Sequence, residues 1–598
     1  MDRTGIIVVA ICAILLGWWF VEQNKIAEQR MHYAATNQVA RAQSQSAASS
    51  PNAAAPASTG ITPAIPVFDT NAPEALLVVT NSRARYTFTS RGGGLKAVEL
   101  LDYPETVSPR WKKKVAKDGM ATLNQRAPLP VLAMVGDASL TGDGNFALTP
   151  LAEGVRAEKS LTNGLRLVKE FQLGSNYLVN ASVRLENTSD QPLPLPAQEW
   201  VIGTATPMGP DDTGYAMNEG VMWFDGARTQ DRSVGWFSGS SLGCFRGAPR
   251  SEYSAGSSNV VWAAAHNQFF TLMAMPKEPA AQIVARPVSL PPFPNIEPVP
   301  DAPPLRGVQA ALVYPPATLA ARQTVERQIV FFAGPKEYRV LARVGEQFQN
   351  HADDVMGFGG VFGFCAKPLL LTMNWLHDVI ASFIPRISYG WIIVLITIIL
   401  RAIFWPLMAR STRSMKKMQA LAPEMQALKE KYKDDQQKYL QKQMELWKKH
   451  KVSPMSGCLP MAIQMPVFIG FFTMLRSAIE LRGAHFLWVT DLSKPDTLFL
   501  IPGTVFPFNL LPLLMGGAML WQSHLQPPSP GMDPTQAKFM RYMPLIFLVF
   551  LYNYSAGLAL YMTVSTLLGV LQTKLTKMNQ EPVPVPASVL TPASKKKK

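Results

Sequence analysis

The sequence predicts a multi-pass α-helical membrane protein of six spans, with a large antiparallel β-sandwich domain outside the cytoplasm and a helical hairpin inside it. Three observations predict this class. Tyr389 to Leu407 is apolar over the length of a bilayer and holds one cation, Arg401. Residues 76–339 alternate apolar and polar with period two. Residues 410–451 carry twelve Lys and Arg against five Asp and Glu, the charge bias of a short cytoplasmic loop.

A chain of 598 residues holds more than one domain. Its mean hydropathy is only +0.06, which suits a polar domain joined to a membrane part. The net charge of +15 fits nucleic acid or a membrane surface, but the cations crowd beside apolar runs, which favours membrane orientation. Cys12, Cys244, Cys365 and Cys458 have no metal-ligand spacing, so no structural disulfide or zinc site is expected. Ile11 precedes Cys12 where a lipoprotein cleavage site needs a small residue.

Residues 1–24 are expected to form a retained signal anchor, because the apolar run from Gly5 to Val21 lacks a small-residue cleavage signature. Residues 25–70 are expected to be a flexible linker, because from Ala34 to about Pro66 the chain is Ala, Ser, Gln, Thr and Pro and cannot bury a core. Residues 71–345 form the β-sandwich. Tyr177, Val179, Ala181, Val183 and Leu185 share one strand face, as do Tyr86 and Phe88, while Asn163-Gly164 and Gly92 to Gly94 supply turns.

Residues 366–385 read as an amphipathic helix lying in the membrane interface. Leu369, Leu370, Met373, Leu376, Ile380 and Phe383 make its apolar face, and Lys367, Asn374, His377 and Asp378 its polar one. Further spans follow within residues 386–579: Tyr389 to Leu407, Cys458 to Leu475, Phe506 to Gln522, and the stretch from Phe539 to Gln572. As one helix, that last stretch would leave Lys574, Lys577 and the basic tail 580–598 outside, against the charge bias. Asn553 to Gly557 holds turn residues, so the stretch divides into Phe539–Tyr552 and Leu558–Gln572. Six crossings then place both termini in the cytoplasm.

Within residues 410–453, Met418, Leu421, Met425, Leu428 and Tyr432 recur at three- and four-residue steps, as do Leu440, Met444 and Trp447 beyond Lys433-Asp434-Asp435. This pattern predicts the seam of a two-helix hairpin, bent at Pro423. Its exposed cations suit anionic lipid, ribosomal RNA or another protein; a solvated face with no partner has the same pattern.

Arg401 carries the chemistry. A cation inside a span costs several kcal/mol unless it meets water or protein, or snorkels to the headgroups. Thr397 lies one turn earlier on the same face. Arg401 stands close enough to the helix end for partial snorkelling, but the reading adopted is that it lines a wet cavity.

The runs Ile399-Leu400-Arg401-Ala402-Ile403-Phe404-Trp405-Pro406, Pro454 to Pro466 and Ser555 to Tyr561, in this order around the basic hairpin, resemble the YidC/Oxa/Alb family of membrane protein insertases. The β-rich insert ending in Ala333 to Tyr338 is similar to that of the Gram-negative YidC form, which makes it periplasmic. Met562 departs from the pattern, where family members often carry a second aromatic residue. The resemblance implies insertion and folding of nascent membrane proteins in the inner membrane, alone or with the Sec translocon (SecYEG, SecDF), through a hydrophilic groove open to cytoplasm and lipid. It implies a ribosome contact at the hairpin or basic tail, and no cofactor. Groove-lining candidates are Arg401, Thr397, Gln464, Tyr561 and Ser565; for Gln464 a helix–helix hydrogen bond is an equal reading. Met461, Met465, Met474, Met515 and Met519 suit either a yielding client surface or plain packing.

A membrane transporter or channel for anionic solutes is the alternative, since Arg401 would suit an anion path. The chain has no internal repeat of the transporter kind. It has no GxxxxGK[ST] nucleotide loop and no HExxH. His377, His485 and His524 fall on different segments, so no enzyme class is indicated.

Overall fold

The computed structural model describes residues 73–578 apart from 106–118, 210–218, 242–244, 247, 294–304, 360–362, 433–434, 451–458, 502–506, 526–541 and 543–545. The expected signal anchor 1–24, linker 25–70 and tail 580–598 lie outside the described residues. The chain folds as two compact units, one β-rich and including residues 473–484, the other helical and drawn from beyond residue 360.

In the β-rich unit the period-two pattern becomes a nine-stranded antiparallel sheet. It runs from Thr229–Ser233 at one edge through Gly220–Phe224, Trp262–His266, Phe270–Pro276, Thr324–Pro335, Leu178–Asn187, Leu165–Leu173 and Gly154–Ser160 to Ala147–Leu151. Tyr177, Val179, Ala181, Val183 and Leu185 are all buried, because alternate side chains of a strand share a face. Gly164, at φ +86°, makes the hairpin turn into Leu165–Leu173. A five-stranded sheet, in the order Tyr253–Ala255, Gln282–Ser289, Arg306–Tyr314, Gln198–Ala205, Met134–Val135, faces part of the larger one. Gly203 allows this approach, since a Cβ there would stand 3.3 Å from Leu272. A four-stranded sheet begins the unit at Leu76–Thr80. Helix α1, Tyr338–Phe348, ends it, and the Trp262 indole donates to the Asn350 carbonyl at 2.8 Å.

Two buried cations interrupt this core. Lys169 is fully buried and donates to the Gly92 and Leu132 carbonyls at 2.6 and 2.7 Å, with Phe146 and Trp200 beside it. Lys336 lies 3.0 Å from His266 Nδ1, and Asp231 faces the other ring nitrogen at 3.3 Å. Desolvation pulls both lysines down to about 7.

The helical unit contains α2, Gly363–Ala381; α3, Tyr389–Ala420; α4, Ala422–Lys431; α5, Gln436–Lys449; α6, Leu459–Ser477, as far as Phe472; α7, Leu510–Leu525; and α8, Ala556–Met578. Among the described residues two helices are long and apolar enough to cross a membrane, Tyr389–Ala420 and Ala556–Leu575. Helix α7, at 16 residues, is shorter than the ~20 that a perpendicular crossing takes.

Several sequence expectations change. The helix that carries the expected span Tyr389 to Leu407 runs on as one helix to Ala420, because the backbone ladder is indifferent to the change from apolar to basic side chains. Arg401 is therefore mid-helix. The break comes at Leu421, and Pro423 occupies the first turn of α4, where its missing N–H costs nothing. Helices α4 and α5 lie antiparallel, with Glu424 at the start of one 3.7 Å from His450 at the end of the other. Met418, Leu421 and Met425 are buried as a seam requires, but Leu440 and Met444 are about half exposed and do not belong to it. On α2, Asn374 is buried among Ala366, Leu370, Met373 and Leu376. The outward face carries Phe364, Leu371, Trp375 and Val379, so it is more apolar than expected. The expected span from Phe506 starts only at Leu510, because Pro507–Asn509 pairs as a strand with Thr497–Leu500. Between Phe539 and Gln572 the chain turns at residues 552–554, with helix on both sides.

Candidate functional site: a polar slot between the helices

Helices α3 and α8 run parallel, since Arg401 meets Ser565 and, further along both, Trp405 meets Gln572. Helix α6 runs the other way: Gln464 and Phe472 reach Tyr561 and Tyr554 in reverse order. Helix α7 is parallel to α8, for its start shares a loop with the start of α8 and its Trp521 meets Lys574 near the far end.

Where α3, α6 and α8 meet they border a partly open slot of about 20 Å³, lined by Thr397, Leu400, Arg401, Phe404, Met408, Gln464, Val467, Tyr561 and Ser565. All five residues singled out from the sequence stand in this lining. That volume holds about one water, so the slot is narrower than the water-filled groove that the resemblance implies.

Arg401 Nε and Nη2 donate to the Ser565 hydroxyl at 3.2 and 2.9 Å. No carboxylate lies within 4.0 Å of the guanidinium among the described residues, so its charge has dipolar company only. Tyr561 is 1% exposed; its hydroxyl accepts from Gln464 Nε2 at 2.9 Å and its ring stacks on Phe471 at 4.1 Å. Gln464 thus makes the helix–helix bond and lines the slot at once. Thr397 is buried, and its hydroxyl donates to Ile393 O at 2.6 Å, one turn back on its own helix. Its polarity is therefore spent locally, and it shapes the slot more than it charges it.

No local pattern announces the layer beyond. Asp496 Oδ2 accepts the Leu511 amide at 2.6 Å and the Trp488 indole at 3.2 Å, which caps α7 from a distant loop. The Lys494 and Leu492 carbonyls accept the first amides of α8, from Ala556 and Gly557, at 2.7 and 2.8 Å. The side chain of Asn509 binds the Tyr552 carbonyl at 2.9 Å, and the Tyr552 hydroxyl donates to Pro507 O at 2.8 Å. One polar loop closes the ends of both helices away from their basic termini.

An apolar helix bundle with a cation that has no acid partner among the described residues facing an interior slot, on a chain that also bears an antiparallel β unit, defines a helical membrane protein with a polar interior site. The family model described as 60Kd inner membrane protein matches residues 379–582, and that of the YidC periplasmic domain matches residues 76–372. A membrane protein insertase YidC of Neisseria gonorrhoeae (strain NCCP11945) is 31% identical over 514 residues, covering 84% of this chain and 87% of its own. One of Pseudomonas fluorescens (strain Pf0-1) is 39% identical over 259 residues, 43% of this chain and 42% of its own. A solved structure described as an active YidC insertase with its first transmembrane domain resolved aligns over 86% of this chain and 96% of its own, at 17% identity and a TM-score of 0.32. The chain belongs to the YidC family of membrane protein insertases.

Proposed function

We propose that this chain inserts nascent membrane proteins into the inner membrane and helps them fold, receiving the polar end of a client in the slot beside Arg401. The observation that carries the reading is a guanidinium inside the bundle with hydroxyl company and, among the described residues, no acid partner. A client tail with acidic groups cannot cross hydrocarbon unaided. Arg401 attracts such a carboxylate where Coulomb forces are weakly screened. The client's apolar helix then partitions sideways into lipid, driven by about 25 cal/mol per Å² of buried area. No nucleotide is needed. Admission of a client requires α3, α6 and α8 to part at the slot.

The proposed topology has six spans with both termini and the hairpin 410–453 in the cytoplasm. The parallel course of α3, α7 and α8, with α6 opposed, supports it. It puts the basic ends of α3 and α8 on one side. In this arrangement residues 1–24 anchor the chain, 25–70 link, 71–345 form the periplasmic domain, 366–385 lie in the interface, 386–579 form the insertase core and 580–598 the basic tail. The hairpin and tail are the proposed contacts for a ribosome, and SecYEG and SecDF are the proposed companions. A conduit for anionic solutes lacks support, for the relatives named above are insertases and the slot has room for a single water.

Photocrosslinkers at positions 401, 464 and 561 test the reading against a ribosome-stalled client. Adducts from all three positions are expected. Crosslinking only from lipid-facing positions such as 403 would refute it.

A further inference from the structure

Tyr561, Ser565, Gly569 and Gln572 follow one another at four-, four- and three-residue steps, which puts them on one face of α8. Three of the four contact neighbouring helices through side chains. At Gly569 there is no side chain, and the reason is spatial. A Cβ there would stand 2.9 Å from Gln522 Nε2, and 3.5 and 3.6 Å from Arg401 Nη2 and Nη1. The bare backbone of α8 is therefore approached by the Arg401 guanidinium from α3 and by the Gln522 amide from α7. Gln522 is not among the residues that line the slot.

Building on the proposed function, we infer that Gly569 and Gln522 are positioning residues: together they seat the Arg401 guanidinium and so set the depth at which a client's carboxylate is received. Ser565 takes Nε–H and one Nη2–H. The remaining N–H groups of the fork are left to face the slot. A Cβ at 569 would displace the Gln522 amide while standing at ordinary contact with the head group, and a branched side chain reaching past that Cβ would press on the head group and strain its bonds to Ser565. Loss of the Gln522 amide would leave room beside the Gly569 backbone into which the head could shift. An arginine on a long stem gives up much rotamer freedom to be held in place, and a seat of this kind removes that freedom before the client arrives.

The test uses the purified full chain in phospholipid vesicles and a single-span client with one Asp stepped along its translocated tail, compared at each step with Asn. The readouts are the Asp-to-Asn insertion ratio and the step at which it peaks. Gly569→Val is expected to lower the peak ratio by about tenfold, the factor carried by one lost charge-assisted hydrogen bond. Gln522→Ala is expected to move the peak to a different step. Gly569→Ala displaces the same Gln522 amide, so Gly569→Ala combined with Gln522→Ala should lose no more than the worse single variant. A native ratio and native peak in Gly569→Val overturn the inference. If that variant is not monodisperse, a native peak in both Gln522→Ala and Gly569→Ala overturns it instead. Arg401→Ala run in parallel separates two failures. If it keeps the native Asp preference, the underlying reading falls and this one with it. If it loses that preference while the seat variants keep it, only the seat is wrong.

Discussion

Arg401 on α3 spends two of its donors on one acceptor, the Ser565 hydroxyl of α8, at 3.2 and 2.9 Å. Ser565→Ala should therefore loosen the guanidinium without removing its charge. Insertion of an acid-tailed client should fall by about tenfold, from the loss of a charged hydrogen bond, and fall further in Arg401→Ala. Arg401→Lys keeps the charge but not the fork, so it should lie between them. Protease protection of the client in vesicles measures all three, and an Arg401→Lys variant worse than Arg401→Ala would contradict the ranking.

The apolar run from Tyr389 announced α3 and made Arg401 conspicuous, because a charge in such a run is costly. The strand from Leu178 was equally readable, since one face had to be buried. Ser565 could be named from spacing and resemblance, but its bond to Arg401 joins residues 164 apart, which no local pattern encodes. Gln522 escaped notice because one amide at the end of an apolar helix reads as an interfacial residue until Gly569 is seen beside it. Leu440 and Met444 depart from the expected seam for a different reason. Helical spacing shows that two residues share a face, not that anything covers that face.

Tyr561 fills the gap between α8 and α6 with a stacked ring and a hydroxyl that accepts from Gln464. Tyr561→Phe keeps the stack and leaves the amide of Gln464 without that acceptor, for a cost of about 1 kcal/mol. Tyr561→Ala also opens a cavity beside Phe471, for about 3–5 kcal/mol. Thermal unfolding in detergent should rank native, Phe, Ala in that order, and equal losses for the two would argue against the packing role.

Asp496 holds the start of α7 from outside that helix. Asp496→Ala should destabilise by about 1–2 kcal/mol, the worth of a helix cap, and release the Trp488 indole. Faster hydrogen exchange at Leu511 is the specific sign, and unchanged exchange there would remove Asp496 from this role.

Cys365 on α2 and Gly470 on α6 mark a close crossing, since a Cβ at 470 would stand 2.6 Å from the Cys365 Cβ. A disulfide needs Cβ atoms about 3.5–4.5 Å apart, so Gly470→Cys should oxidise to Cys365 after a small parting of the helices. With the other three cysteines changed to Ser and the hairpin nicked by protease, the two fragments should stay joined until reduced. Gly470→Leu has no room and should lower the yield of folded protein. Fragments that separate without reductant would show that the helices do not cross there.

The β-rich unit should be more stable in mild alkali than at neutrality. Burial, with the charge of Lys159 adding to it, pulls Lys169 down to about 7; Lys336 falls to about 7 through burial, with Arg476 adding and Asp231 opposing. An unfolded lysine titrates near 10.4, so between about pH 7 and about pH 10 the unfolded chain binds more protons and unfolding becomes harder as pH rises. Below that window both states are protonated, and the folded one bears the whole cost of burying two cations. His266 acts in the same direction at lower pH: burial first, then the charge of Lys336, depresses it. Its contribution is complete above the unfolded value near 6.5 and is lost as pH falls through the folded one. Tyr86 and Tyr314, which burial pushes up to about 12, reverse the trend above about pH 10, where unfolded tyrosine ionises. Near-ultraviolet dichroism of the full chain should show the midpoint climbing from about pH 6 to about pH 9.5, with a shallower climb in Lys169→Met. An identical slope in that variant would mean that Lys169 keeps its proton through the whole range, with the two carbonyls and the aromatic faces compensating the charge in full.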